Sequence, residues 1–106
     1  IQFHNYYNQN IKGIIFVVDS SENHKFRIDQ ERIELLRLQN EELLSNIPLL
    51  VFANKQDLPN VLKIDEITEY LQLQQIQNRE WFIQPCCALS GDGLSEGFQW
   101  IVDHQK

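Results

Sequence analysis

The sequence has no methionine, only two cysteines and only four glycines in 106 residues. Because translation starts at methionine, we expect a chain that begins at Ile1 to be a fragment or a processed piece of a longer protein. No run of about 18 apolar residues occurs, so no membrane-spanning helix is predicted. No secretory signal is visible at the amino terminus.

The two cysteines, Cys86 and Cys87, are adjacent. Neighbouring Cα atoms lie about 3.8 Å apart, which is too close for ordinary disulfide geometry. The sequence also has no Cys/His spacing that suits zinc. We therefore expect no metal site, a reducing intracellular compartment, and two thiols that act as small apolar side chains.

Basic residues are few as well. Nine Lys and Arg stand against fifteen Asp and Glu, which gives a net charge of −6. Non-specific binding of nucleic acid needs clustered Lys and Arg, so we expect no nucleic-acid partner. The length and the hydrophobic fraction of 42% predict a single globular unit over residues 1–106, either one small domain or part of one.

The apolar segments alternate between two periodicities. Short β-branched or aromatic runs predict three strands, at residues 14–19, 49–53 and 81–87. Apolar residues at helical spacing predict three helices, over residues 26–44, 64–71 and 94–102. This alternation predicts an α/β fold in three layers, with a parallel sheet between flanking helices.

The first and the third strand are predicted to have different positions in the sheet. Pro85 cannot donate a hydrogen bond to a ladder, so the third strand is expected at a sheet edge. The first strand is too apolar for an open edge, which is an aggregation hazard. We therefore expect another segment or a partner to cover residues 14–19.

The residues after the second strand suggest a ligand site. Asn54, Lys55 and Asp57 follow that strand in an N-K-x-D pattern, at the sheet end where α/β proteins bind ligands. Guanine presents a ring N1–H beside an exocyclic amine, and one carboxylate can accept from both, so Asp57 is the candidate reader. A small residue after the third strand, Ala88, lets a backbone N–H approach the base oxygen. The alternative is a polar turn that merely ends a strand.

Together these segments resemble the Arf family of small GTPases, within the Ras-like superfamily. The matching stretches are residues 13–20, 49–59, 81–84, 87–88 and 90–94, with Ile67, Glu96 and Gly97. The resemblance implies that Asn54 braces the base loop and contacts the base, and that the stem of Lys55 lies along the base plane. It implies that Asp57 accepts from the N1–H and the amine.

The resemblance also implies a role for the second loop. The guanine-binding stretch there is Cys87, Ala88 and Leu89, in which the Ala88 N–H meets the base oxygen. Leu89 stands where the family usually has Thr, so a hydroxyl contact is not expected. Gln56 is expected to be a spacer whose side chain need not touch the base.

The family implies a molecular switch that binds GTP and GDP in vesicle-mediated protein transport. Exchange factors, GTPase-activating proteins and effectors are then the expected partners. The expected location is cytoplasmic, with Golgi and endomembrane association. Membrane contact in the family comes from an N-terminal myristoylated helix that these residues do not include.

No G-x-x-x-x-G-K-[ST] pattern occurs in the sequence. We therefore expect the carboxyl-terminal half of a Ras-like P-loop NTPase fold, which supplies guanine recognition but no catalytic residue. Mg²⁺ is expected only in the intact protein, because phosphoryl transfer depends on parts absent here. The alternative is a truncated, non-catalytic interaction or structural module that docks on a partner covering residues 14–19.

Overall fold

The computed structural model describes residues 11–21, 25–44, 46–56 and 59–105, and of residues 25–28 and 43 the backbone alone. Strands and helices alternate along this part of the chain. They are β1 (Ile14–Asp19), α1 (Lys25–Gln39), β2 (Leu49–Asn54), α2 (Ile64–Tyr70), β3 (Trp81–Pro85) and α3 (Leu94–Asp103). Two short 3-10 helices, Glu42–Leu44 and Leu73–Gln75, lie in the connections.

The three strands form one parallel sheet in the order β1-β2-β3. Ile14 lies opposite Leu49 at one end of the β1–β2 pair, and Asp19 lies opposite Asn54 at the other. The central strand β2 is apolar from Leu49 to Ala53 because both of its faces are covered. The predicted α/β fold with a parallel sheet and flanking helices is confirmed.

Helices cover both faces of the sheet. On one face, α1 and α2 pack on alternate strand residues, in a core that includes Phe16, Leu35, Val51 and Ile67. On the other face α3 packs through Ile101, in a core with Leu50, Phe52 and Cys86. The face alternates along each strand because successive side chains point to opposite sides.

A glycine permits the entry into α3. Gly93 precedes the helix at φ 83°, a left-handed conformation that glycine adopts without steric cost. A Cβ atom at this position would collide with the carbonyl oxygen of Pro85. The turn therefore brings the start of α3 directly against the end of β3.

Two predicted boundaries were wrong. The first helix ends at Gln39 rather than at residue 44. The Asn40 N–H is shared between the Leu36 and Arg37 carbonyls, and the Glu41 N–H donates to the Leu38 carbonyl, three residues back. Leu44 is nevertheless fully buried, in the following 3-10 helix. The third strand ends at Pro85 rather than at Cys87. The Cys86 N–H still donates to the Ala53 carbonyl oxygen of β2, but the chain then turns, and the Cys87 N–H donates to the Asp92 carbonyl oxygen, 2.9 Å away.

The edges of the sheet are β3, as Pro85 predicts, and β1. The Ile14 N–H donates to the Pro48 carbonyl and the Ser20 N–H to the Asn54 carbonyl, so the backbone N–H and C=O groups of the even-numbered residues of β1 point toward β2. Ile15 and Val17 therefore direct their backbone groups to the other side. The Val17 side chain is 54% exposed, so in the described part of the chain this edge is open and apolar. None of the helices described is long and apolar enough to cross a membrane.

Candidate functional site

Asn54, the last residue of β2, joins the two predicted loops. Its Oδ1 atom accepts from the Lys55 N–H at 2.8 Å and from the Ala88 N–H at 2.9 Å. The Cys86 thiol donates to the same oxygen from 3.7 Å. Three donors on one oxygen fix the orientation of the amide, so its NH₂ group is directed away from them as a donor.

Both the backbone and the side-chain ammonium group of Lys55 are bonded, the N–H to Asn54 Oδ1 and the Nζ atom to Asp19. Its backbone has φ 69°, an uncommon value for a residue with a side chain that marks a special loop conformation. Its Nζ atom lies 2.9 Å from Asp19 Oδ2. This ion pair fixes the direction of the Lys55 stem across the ends of β1 and β2.

The Asp19 carboxylate that contacts Lys55 is also hydrogen-bonded to Ser21. Its Oδ1 atom accepts from the Ser21 N–H at 2.9 Å and from the Ser21 hydroxyl at 2.6 Å. Burial favours the neutral acid, but the hydrogen bonds from Ser21 and Lys55 outweigh it, so the pKa of the Asp19 carboxyl group lies below its usual value. Asp19 therefore carries the negative charge that Lys55 needs at neutral pH.

The side chain of Gln56 is engaged rather than a free spacer. Its Nε2 atom donates to Ser20 Oγ at 2.7 Å, and it lies 3.4 Å from the Leu62 carbonyl oxygen. The Gln56 backbone N–H donates to the Cys86 carbonyl oxygen at 3.1 Å. One residue of the loop thus connects the ends of β1 and β3 and the segment before α2.

The second loop is a tight turn around two buried thiols. Cys86 and Cys87 are both buried. The Gly91 N–H donates to the Cys87 carbonyl oxygen at 2.8 Å, which closes the turn. Burial, and to a lesser degree the neighbouring Cys87, raise the pKa of the Cys86 thiol. Cys86 therefore keeps its proton and donates to Asn54.

Leu89 differs from its neighbours because its side chain is 97% exposed. Nothing in the described structure packs against it, so only its backbone belongs to the turn.

Asp57, the predicted base reader, lies outside the described residues. Of the other predicted residues, the structure brings Asn54, Lys55 and Ala88 together directly, while Cys87 and Leu89 flank Ala88. Sequence reasoning missed Asp19, Ser20 and the side-chain role of Gln56. Their signal was available, because Asp19 and Ser20 end a strand parallel to β2 and must lie beside its last residues.

The arrangement places an oriented amide NH₂ group and a lysine side chain at the carboxyl ends of parallel strands, where α/β folds bind ligands. The Ala88 N–H lies beside them and is bonded to Asn54 Oδ1. The residues described contain no group of three His, Cys, Asp or Glu side chains that could hold a metal ion.

Comparison with known proteins identifies the family. The model of the ADP-ribosylation factor (Arf) family matches residues 2–105, and this match includes both loops and all three strands. The sheet with its flanking helices is consistent with the Ras-like P-loop NTPase fold of small GTPases. The chain therefore belongs to the ADP-ribosylation factor family of small GTPases.

Proposed function

We propose that this chain recognises the guanine base of GTP and GDP. The observation that carries the proposal is the Asn54 side chain, whose single oxygen holds the Lys55 and Ala88 N–H groups in one place. The two loops then meet one side of a planar base together. Family membership supports a guanine nucleotide as the ligand.

Each proposed contact follows from the chemistry of guanine. Asp57 accepts from the ring N1–H and the exocyclic amine, a pair that adenine lacks. The Ala88 N–H donates to the base oxygen, which requires it to leave Asn54 Oδ1 or to share the hydrogen bond. The Lys55 stem, directed by Asp19, covers the base plane. Cys87 and Leu89 contribute through the backbone of the turn.

We further propose that the protein works as a guanine-nucleotide switch in vesicle-mediated protein transport. Its partners would be exchange factors, GTPase-activating proteins and effectors, with an endomembrane or Golgi association. These roles rest on family membership. For the 106 residues themselves we propose base recognition only, since the sequence contains no phosphate-binding G-x-x-x-x-G-K-[ST] pattern.

The test exchanges the carboxylate of the base reader for an amide. Asp57→Asn can accept from the N1–H but must donate at the second position, where xanthine presents an oxygen. GMP and XMP are titrated into the ¹⁵N-labelled chain, and the two affinities are compared by NMR. We expect wild type to prefer GMP and the variant to prefer XMP. A hydrogen bond to a charged group contributes about 1.5–3 kcal/mol, so a change of tenfold or more in the ratio is expected.

The matched control is Asp65→Asn, which makes the same exchange in the first turn of α2, at an exposed residue. It should leave the GMP:XMP ratio unchanged. An unchanged ratio in Asp57→Asn, or a wild-type chain that binds neither nucleotide, would contradict the proposal.

The open edge of β1 favours a second candidate, a non-catalytic module that docks on a partner. Val17 is 54% exposed, and Phe98 and Val102 on α3 are also exposed. In such a complex the amides of Ile15 and Val17 gain hydrogen-bonding partners. Their hydrogen exchange should then be much slower in the assembled protein than in the isolated chain. Equal exchange rates in both states would rule this candidate out.

A further inference from the structure

We propose that Arg79 binds the carboxylate group of a small ligand at the amino ends of the strands. This is the end of the sheet opposite to Asn54, so the inference goes beyond base recognition and does not depend on it. Arg79 lies two residues before the start of β3. The Leu49 N–H donates to the Glu80 carbonyl oxygen at 2.9 Å, which holds the backbone next to Arg79 against the start of β2.

The guanidinium group of Arg79 is buried and oriented. The residue is 9% exposed, and its Nη1 atom donates to the Ile47 carbonyl oxygen at 3.3 Å. The Nε and Nη2 atoms are also buried, and neither has a hydrogen-bond partner in the described part of the chain. These two nitrogens share one edge of the planar group, and their N–H bonds point the same way. Buried donors are normally bonded, so this edge requires an acceptor with two oxygens.

The positive charge of Arg79 is unpaired as well. The other arginines with described side chains, Arg32 and Arg37, each pair with an acid on α1, whereas Arg79 forms no ion pair with a described residue. The adjacent Glu80 carboxylate lies 3.2 Å from His104 Nε2 instead. The chain has fifteen Asp and Glu against nine Lys and Arg, so acids are plentiful. A buried charge is costly unless it is paired.

The chemistry of the buried edge favours a carboxylate. Burial lowers the pKa of the Arg79 guanidinium group, but arginine keeps its charge at neutral pH, so an anion suits it better than a neutral acceptor. Two parallel N–H groups match two oxygens of a carboxylate or a phosphate. A carboxylate carries one charge, so it costs less to remove from water than a phosphate dianion. Since the edge is buried, we expect a small ligand to enter through local opening of the chain around it.

The test titrates sodium acetate into the ¹⁵N-labelled 106-residue chain, with sodium chloride to keep the ionic strength constant. The Nε–H resonances of Arg79 and Arg37 are followed by NMR. We expect a saturable change at Arg79 and none at Arg37, whose side chain is 77% exposed. Arg79→Lys keeps the charge but lacks the two parallel donors. Its acetate affinity, measured at the Ile47 and Glu80 amides, should therefore fall tenfold or more.

The matched control is Arg37→Lys, the same exchange at an exposed residue, which should bind acetate with wild-type affinity. If Arg79→Lys does not fold, the two wild-type Nε–H resonances decide the question.

Three results would overturn the proposal. The first is no saturable change at Arg79, as expected if water alone satisfies the two donors. The second is an Arg79→Lys chain that binds acetate as tightly as wild type, and the third is tighter binding of inorganic phosphate than of acetate at equal ionic strength. None of them bears on GMP binding, because the guanine loops lie at the other end of the strands.

Discussion

Gly97 offers a sharp test of how α3 is seated on the sheet. An alanine Cβ atom there would lie 2.6 Å from Phe52 Cζ and 3.2 Å from Leu50 Cδ2. Carbon atoms in contact normally lie about 3.5–4.0 Å apart. The Phe52 ring has little room to retreat, because it is 3% exposed and packs edge-on against Phe98 at 5.4 Å.

Two opposing effects set the magnitude of Gly97→Ala. Replacing glycine by alanine inside a helix gains about 1 kcal/mol of helix propensity. Overpacking a well-packed core costs about 1–3 kcal/mol, and a contact about 1 Å too short against a buried ring belongs at the upper end. We expect the free energy of unfolding to fall by about 1–2 kcal/mol.

The assay is urea unfolding, followed by circular dichroism. Ser95→Ala, at an exposed position of the same helix, is the control and should change stability by less than about 0.5 kcal/mol. Adding Phe52→Leu removes the ring carbons that clash, so the double variant should lose less than the sum of the two single variants. A Gly97→Ala chain as stable as wild type would refute the packing of α3 described here.

Further predictions concern the stability of the site and of the core. The first is Asp19→Asn. The pKa of the wild-type Asp19 carboxyl group is lower in the folded chain than in the unfolded one, so its negative charge stabilises the fold at neutral pH. This contribution is lost as the pH falls through the folded pKa. Urea unfolding should show a loss of about 1 kcal/mol at pH 7, shrinking below about pH 4; a loss independent of pH would contradict it. Leu50→Ala, at a fully buried position, should lower the free energy of unfolding by about 2–5 kcal/mol. Leu36→Ala, at a half-exposed position on α1, should lower it much less. Equal losses in urea unfolding would contradict the burial of Leu50.

Sequence periodicity predicted the order and type of the main elements because each carries a clear apolar pattern. Residues 14–18 and 49–53 are apolar without interruption, a pattern typical of strands in a parallel sheet between helices, although Val17 in the first run is 54% exposed. The ends of elements were less predictable because single hydrogen bonds decide them. The Cys87 N–H donates to the Asp92 carbonyl, and the Glu41 N–H donates to the Leu38 carbonyl, three residues back. Neither hydrogen bond can be predicted from the hydrophobic pattern.

The candidate site was predictable as far as residue types and strand ends allow. The N-K-x-D pattern predicted Asn54 and Lys55, and the small side chain predicted Ala88; the structure brings the three together, and their contact with a base stays a prediction. The hydrogen bonds that hold these residues depend on which side chains of the neighbouring strand ends come within bonding distance. This is decided by how the loops pack. Asp19 therefore read as an ordinary strand end, and Gln56 as a spacer, although both are hydrogen-bonded within the site.

We propose that the two loops read a guanine base together, and the Ala88 amide tests this proposal most directly. Its N–H donates to Asn54 Oδ1 at 2.9 Å, so a base oxygen that competes for this hydrogen must change its environment. GMP and AMP are titrated separately into the ¹⁵N-labelled chain, and the amide resonances of Lys55 and Ala88 are followed. We expect saturable shifts of both resonances with GMP and none with AMP at the same concentration. Equal responses to the two nucleotides, or no response to GMP, would contradict it.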